Sequence, residues 1–254
     1  MHPNPRLNAI AAPSAITALV AIVLTAAGCQ KAAETPSAPP APAAPASTAP
    51  AGTPALPLVA DAEIQRIAPM VASEYFETLT EAAFTDTPAQ LDAAIASARA
   101  ASSRDGKRLP APAQAELVHR LEQIRQARAA DNRADLAIAS IEGYRLFVSA
   151  GINVGSAPVE VALLDYSGFR YGADLAATPT RWDDARAASA FAETRWAAIQ
   201  SRVTDAALKS RFAVTLAGMK AAADAEDAGL AAQFNRAELD QVDELETFFA
   251  RHAG

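Results

Sequence analysis

Apolar residues recur along this chain at intervals of three and four. Ile64, Ile67, Val71, Tyr75 and Leu79 fall on one side of a helix, and Leu117, Leu121 and Ile124 on one side of another. Leu208, Phe212, Leu216 and Met219 repeat the pattern, as do Leu230, Phe234, Val242, Leu245 and Phe249. No stretch alternates β-branched and aromatic residues with polar ones at period two, as a half-buried strand does. The pattern predicts an all-α helical bundle fold. Helices are expected near 61–84, 88–103, 113–130, 132–150, 157–175, 179–202, 205–222 and 226–250.

The breaks between these stretches carry helix-end chemistry. Thr87-Pro88-Ala89-Gln90 has the form of a capping box with proline at the first helical position. Residues 102–112 contain Gly106, Pro110 and Pro112 and predict a loop. Asp131 or Asn132 can cap the next helix, Gly151 predicts a stop, and Ser156 is a candidate cap.

The chain also resembles itself. Residues 68–94 and 157–185 both run Ala-Pro, an acid followed by tyrosine, Thr-Pro, then a bulky apolar residue followed by aspartate. This pairs Tyr75 with Tyr166, Pro88 with Pro179, Leu91 with Trp182 and Asp92 with Asp183 at a spacing of 91. Leu121, Ile124 and Ala127 match Leu216, Met219 and Ala222 at a spacing of 95. The expectation is two copies of a four-helix unit, at 61–150 and 155–250. They could form two bundles, intertwine in one domain, or stack as a solenoid of hairpins. The Trp, Leu-Gly and Tyr pattern of one common solenoid is absent, which favours bundles.

Composition narrows the setting. The 254 residues are 51% hydrophobic, with a formal charge of -7 and 18 arginines against 4 lysines. No basic stripe is present, which argues against a nucleic-acid partner. The helical region, 58–254, is long enough to bury roughly 70% of its unfolded surface without a disulfide.

The front of the chain has a different character. Residues 1–8 hold Arg6 and no acid, and Ala15 to Ala27 form an apolar run too short for a membrane span of ~20 residues. Ala26, Ala27 and Gly28 then lead to Cys29, the single cysteine. This resembles the bacterial lipoprotein signal, although the usual leucine three places before the cysteine is missing and Leu24 lies five before it. The resemblance covers residues 1–30. It implies cleavage after residue 28 and acyl chains on Cys29, a stable membrane anchor. Gln30 after the cysteine implies the outer membrane under the enteric sorting rule. With Cys29 acylated, no thiol remains for a disulfide, a nucleophile or a metal.

Residues 31–57 hold 8 of the 17 prolines and no aromatic residue. Such a segment cannot bury enough apolar surface to fold and predicts a tether, reaching up to ~80 Å as polyproline II.

Catalytic chemistry is thin. Beyond residue 28 the histidines are His119 and His252, Glu-x-x-His occurs once (Glu116 to His119) where a di-iron bundle needs two, and there is no Cys-x-x-Cys-His, so neither a metal centre nor a covalent haem is expected. Met70 and Met219 read as core filler. No nucleophile elbow, P-loop or dinucleotide fingerprint occurs, and no cofactor or enzymatic activity is expected.

The candidate site is the middle of the chain. Glu142, Tyr144, Arg145, Asp165, Tyr166, Arg170 and Tyr171 concentrate there, with three of the four tyrosines. Glu142 with Arg145, and Tyr166 with Arg170, share helix faces. Gly168 and Gly172 mark either a close helix approach or room for a ligand. The cluster reads either as a pocket for an anionic group or as a buried polar network joining two units. Asp92 and Asp183 read as carboxylates stabilising the first turn of a helix. The functional expectation is a lipid-anchored periplasmic binding protein, an accessory factor with a protein partner in the envelope. The alternative is a receptor for a small ligand or metal ion.

Overall fold

The computed structural model describes residues 72–150 and 157–252. The lipoprotein signal, Cys29, the proline-rich segment, Ile64, Ile67, Met70, Val71, Gly151 and Ser156 lie outside the described residues. Eight α-helices follow in order: α1 (Ala72–Thr85), α2 (Pro88–Asp105), α3 (Ala111–Ala129), α4 (Arg133–Ala150), α5 (Val159–Ala176), α6 (Trp182–Ile199), α7 (Ala206–Asp224) and α8 (Ala228–Arg251). Among the described residues there is no strand, so the all-α reading holds.

Local chemistry sets the ends. Thr87 caps α2 in a full capping box: its hydroxyl accepts from the Gln90 N–H, and the Gln90 side chain accepts from the Thr87 N–H at 3.1 Å. The expected loop at 102–112 is shorter than its composition suggests. Helix α2 runs through Ser102–Asp105, and Gly106–Arg108 form a 3-10 turn before α3. Asn132, not Asp131, caps α4, accepting from the Asp135 N–H at 3.0 Å.

Packing is of the bundle type. Helix α1 packs on α2 and α4, and α3 packs on α4 and α2; α5 packs likewise on α6 and α8, and α7 on α8 and α6. Helix α4 packs on α5 and links the two sets. There are two apolar clusters. One gathers Phe76, Leu79, Leu91, Ile124, Ile141 and Phe147; the other Leu164, Phe212, Met219, Val242 and Leu245. Helix α5 serves both, sending Tyr166 and Ala173 to the first and Val161, Leu164 and Tyr171 to the second.

Two apolar positions depart from expectation. Tyr75 and Leu230 are partly exposed, at 37% and 46%. Both lie in the first turn or so of a described helix, where neighbours cover only part of the surface. Met219 is fully buried, as core filler should be.

Two pairs of helices match in length across the two sets. Helices α2 and α6 each have 18 residues, and α3 and α7 each have 19. Two residues beyond the end of α3 lies Asp131 at φ 51°, and two beyond the end of α7 lies Glu226 at φ 54°. After these left-handed residues, Asn132 N–H reaches the Ala127 carbonyl at 2.8 Å, and Asp227 N–H the Ala222 carbonyl at 3.0 Å. These are Schellman turns, and the residue closing each one caps the following helix. The pairing of Pro88 with Pro179 does not survive at this level. Pro88 is the first residue of α2, whereas α6 begins at Trp182, three residues beyond Pro179. The longer α5–α6 connection moves the structural spacing of these helices from 91 to 94, so Leu91 corresponds to the buried Ala185 rather than to Trp182.

Candidate functional site

The seven residues singled out from the sequence fall into three places. Glu142, Arg145, Tyr166 and Arg170 form one network where α4 meets α5. Arg145 donates to Glu142 Oε2 through Nη2 (2.8 Å) and Nε (3.1 Å). Arg170 Nη1 reaches Glu142 Oε1 at 2.6 Å, and the Tyr166 hydroxyl donates to the same oxygen at 2.8 Å. The Arg145 guanidinium also lies over the Tyr166 ring, 5.5 Å from its centre.

Two members were not evident from the sequence reading. Asp174, one turn beyond Arg170 on α5, accepts from its Nε at 3.0 Å, and Asp184 of α6 faces Nη2 at 3.6 Å. The four-residue step from Arg170 to Asp174 was the available signal.

The network is electrically closed. Burial works to raise the Glu142 carboxyl, but Arg145, then Arg170 and the Tyr166 hydroxyl, outweigh it and hold it below the usual range. Burial pushes Asp174 up to about 7, with Arg170 opposing. Both guanidiniums therefore have carboxylate partners within the chain. An anionic ligand would have to displace Glu142 or Asp174 to reach them.

Tyr144 and Asp165 form a second group. The Tyr144 hydroxyl donates to the Ala162 carbonyl at 3.2 Å and to Asp165 Oδ2 at 3.4 Å. Asp165 is buried, and its carboxyl is pushed well up, first by burial and then by Glu77, Glu246, Glu238 and Asp243. Tyr171 belongs to neither group. It is fully buried in the second apolar cluster and donates to the Met219 carbonyl at 2.9 Å.

Gly168 and Gly172 mark close approach rather than room for a ligand. A Cβ on Gly168 would overlap the Glu238 carboxylate and Leu239, and one on Gly172 would come within 2.7 Å of Asn235 Oδ1. Helix α8 fills the space. Asp92 and Asp183 act as surface carboxylates: Asp92 pairs with Arg128 at 2.7 Å and Asp183 with Arg186 at 2.6 Å.

An open groove lies elsewhere, between the start of α7 and the end of α8. Its volume is about 660 Å³, lined by Thr204, Asp205, Leu208, Asp243, Glu244, Thr247, Phe248, Arg251 and His252. Its walls are ordered. Asp205 caps α7, Glu244 is ion-paired with Arg211, and the His252 ring stacks on Phe248 at 4.3 Å. Sequence spacing could not reveal this groove, because its residues meet only when α7 and α8 pack.

Among the described residues, no three His, Cys, Asp or Glu side chains are gathered to hold a metal ion, and no helix is long and apolar enough to cross a membrane. No protein-family model, curated protein or solved structure matches the chain.

Proposed function

We propose that this protein is a lipid-anchored interaction factor of the bacterial envelope. In this reading Cys29 carries the acyl chains, residues 30–57 are the tether, and the helical domain engages a protein partner. The observation that carries the binding reading is the open groove at the α7–α8 end. Leu208 and Phe248 form its buried floor, and its exposed rim carries Asp205, Glu244, Arg251 and His252, charges of both signs that suit a polar partner segment. The Tyr/Arg cluster reads as a joint between α4 and α5, since its charges are met within the chain. The equal lengths of α2 and α6 and of α3 and α7, with the repeated Schellman turns, support descent of 61–150 and 155–250 from one four-helix unit.

The anchor is tested by Cys29→Ser, which should abolish palmitate labelling and move the protein from the membrane to the soluble fraction. Retention in the membrane would sink that reading. The groove is tested in cells making the intact lipoprotein, with a photo-crosslinking residue at the exposed Thr247 and a control at the exposed Ala96. One discrete envelope partner should appear from position 247 alone and be lost with Asp243→Lys/Glu244→Lys. Equal crosslinking at both positions would remove the groove from the proposal.

A further inference from the structure

Two buried acids on facing helices lie outside the ion-pair network. Glu238 of α8 is fully buried, and neither of its carboxylate oxygens has a hydrogen-bond partner. Its Oε2 sits directly over Gly168 of α5, in space that any side chain there would occupy. Asp165 lies one turn before Gly168 on the same face of α5. Glu238 is therefore held in the α5–α8 contact, and Asp165 lies buried a turn away beside the Tyr144 hydroxyl; at either place an ionised carboxylate without a counter-charge is strongly disfavoured.

We propose that Asp165 and Glu238 form a proton-operated latch: α8 lies flat on α5 while both carboxyls hold protons, and their ionisation drives the C-terminal half of α8 away from α5.

The surroundings of Asp165 favour the protonated form. Helix α1 presents Glu77, α4 presents the Tyr144 hydroxyl, and α8 presents Glu238, Asp243 and Glu246. Helix α6 brings Asp184 to Arg170, beyond Gly168 on α5, and α7 brings Arg211 to Glu244 at the surface. Burial alone pushes Glu238 well above the usual carboxylate range; burial and then the facing acids do the same for Asp165. Burial, then Asp165, also pushes Tyr144 up, so its hydroxyl remains a donor.

The direction follows from linkage. Both groups hold protons more tightly in the docked state than when exposed, so docking is strongest at low pH. It weakens as pH rises above the usual carboxylate range, by up to about tenfold per group per pH unit until the raised values are passed. Helix α8 supplies Asp243, Glu244, Thr247, Phe248, Arg251 and His252 to the groove, so the latch would couple pH to the groove's shape. It does not depend on what the groove binds.

The test is hydrogen exchange of the full chain at about pH 6 and about pH 8.5, corrected for the intrinsic rates. Amides of α8 around Asn235–Glu246 should open at least tenfold more often at the higher pH. Glu238→Gln and Asp165→Asn should each remove most of that difference. An unchanged pH ratio in both variants, or none in the wild type, overturns the latch. So does closure of α8 at high pH by millimolar calcium or magnesium, since a metal would then be the neutralising species. If neither variant folds, the wild-type thermal midpoint decides. A midpoint that keeps falling between about pH 7 and 8.5, above the interval in which Asp174 titrates, supports the latch, and a flat or rising one overturns it.

Discussion

Asn235 donates from its side-chain amide to the backbone carbonyl of Gly168, 2.7 Å away across the α8–α5 crossing. The Ser140 hydroxyl likewise donates to the Phe76 carbonyl, 2.8 Å away across the α4–α1 crossing. Next to each bond a glycine meets a large side chain, but the roles are exchanged. Gly143 of α4 takes the Phe76 ring of α1, whereas Gly168 of α5 takes the Glu238 side chain of α8. Each crossing thus pairs one large and one absent side chain, which lets the helix backbones approach closely.

That exchange makes Gly168 sensitive. Gly168→Ala should destabilise the domain by about 1–3 kcal/mol, because overpacking outweighs the helix preference of alanine, worth about 1 kcal/mol. Glu238→Ala in the same chain should recover much of the loss. Urea denaturation of the two single variants and the double variant measures the coupling. Additive effects would mean that the two residues do not share the space.

Glu142 is the keystone of the ion-pair network. Glu142→Gln leaves Arg145 and Arg170 buried with reduced compensation and should cost about 3 kcal/mol in urea denaturation. The folded Glu142 carboxyl titrates below the usual value of 4.5, so its contribution is present above that pH. The contribution is lost as pH falls through the depressed folded value. Wild-type stability should therefore drop more steeply in acid than that of the variant. Parallel acid limbs would show that Glu142 is not held ionised.

Much of the fold was legible because period, caps and prolines act locally. Thr87-Pro88-Ala89-Gln90 is visible as four adjacent residues, and the Leu208–Phe212–Leu216–Met219 stripe as one helix face. The partners of Glu142 were half legible. Arg145 lies a turn away, but the bond to Arg170 spans 28 residues and depends on how α5 lies on α4. Glu238 was not legible at all. Nothing near it in sequence marks it as buried, and its environment is made by Gly168, 70 positions earlier. Thr-Pro occurs in both halves of the sequence, yet only the first starts a helix.

The Schellman turns offer a route to stabilisation. Asp131 and Glu226 hold φ of 51° and 54°, a region that costs a non-glycine residue about 1–2 kcal/mol. Asp131→Gly and Glu226→Gly should each stabilise the fold by about 0.5–1 kcal/mol, glycine's unfolded-state entropy offsetting part of the gain. Asn132→Ala should cost about 1 kcal/mol by removing the cap of α4. Thermal midpoints read both effects. A glycine that destabilises at both turns would show that the acidic side chains do more there than close a helix.

Asp174 supplies a titration within reach of ordinary buffers. Burial raises it to about 7 in the folded chain, against 3.8 when exposed, with Arg170 opposing the shift. Its sign is opposite to that of Glu142. The folded chain holds this proton more tightly, so the contribution is fullest below pH 3.8 and diminishes up to about 7. The loss is at most about 1.4 kcal/mol per pH unit. Asp174→Asn also removes a charged partner of Arg170, so the informative quantity is the slope with pH, not the absolute stability. Between about pH 4 and 7 the wild type should lose stability relative to the variant, and above that interval the two curves should run parallel. A difference that stays constant through the whole range would place the Asp174 titration at its ordinary value, with the Arg170 ion pair fully offsetting burial.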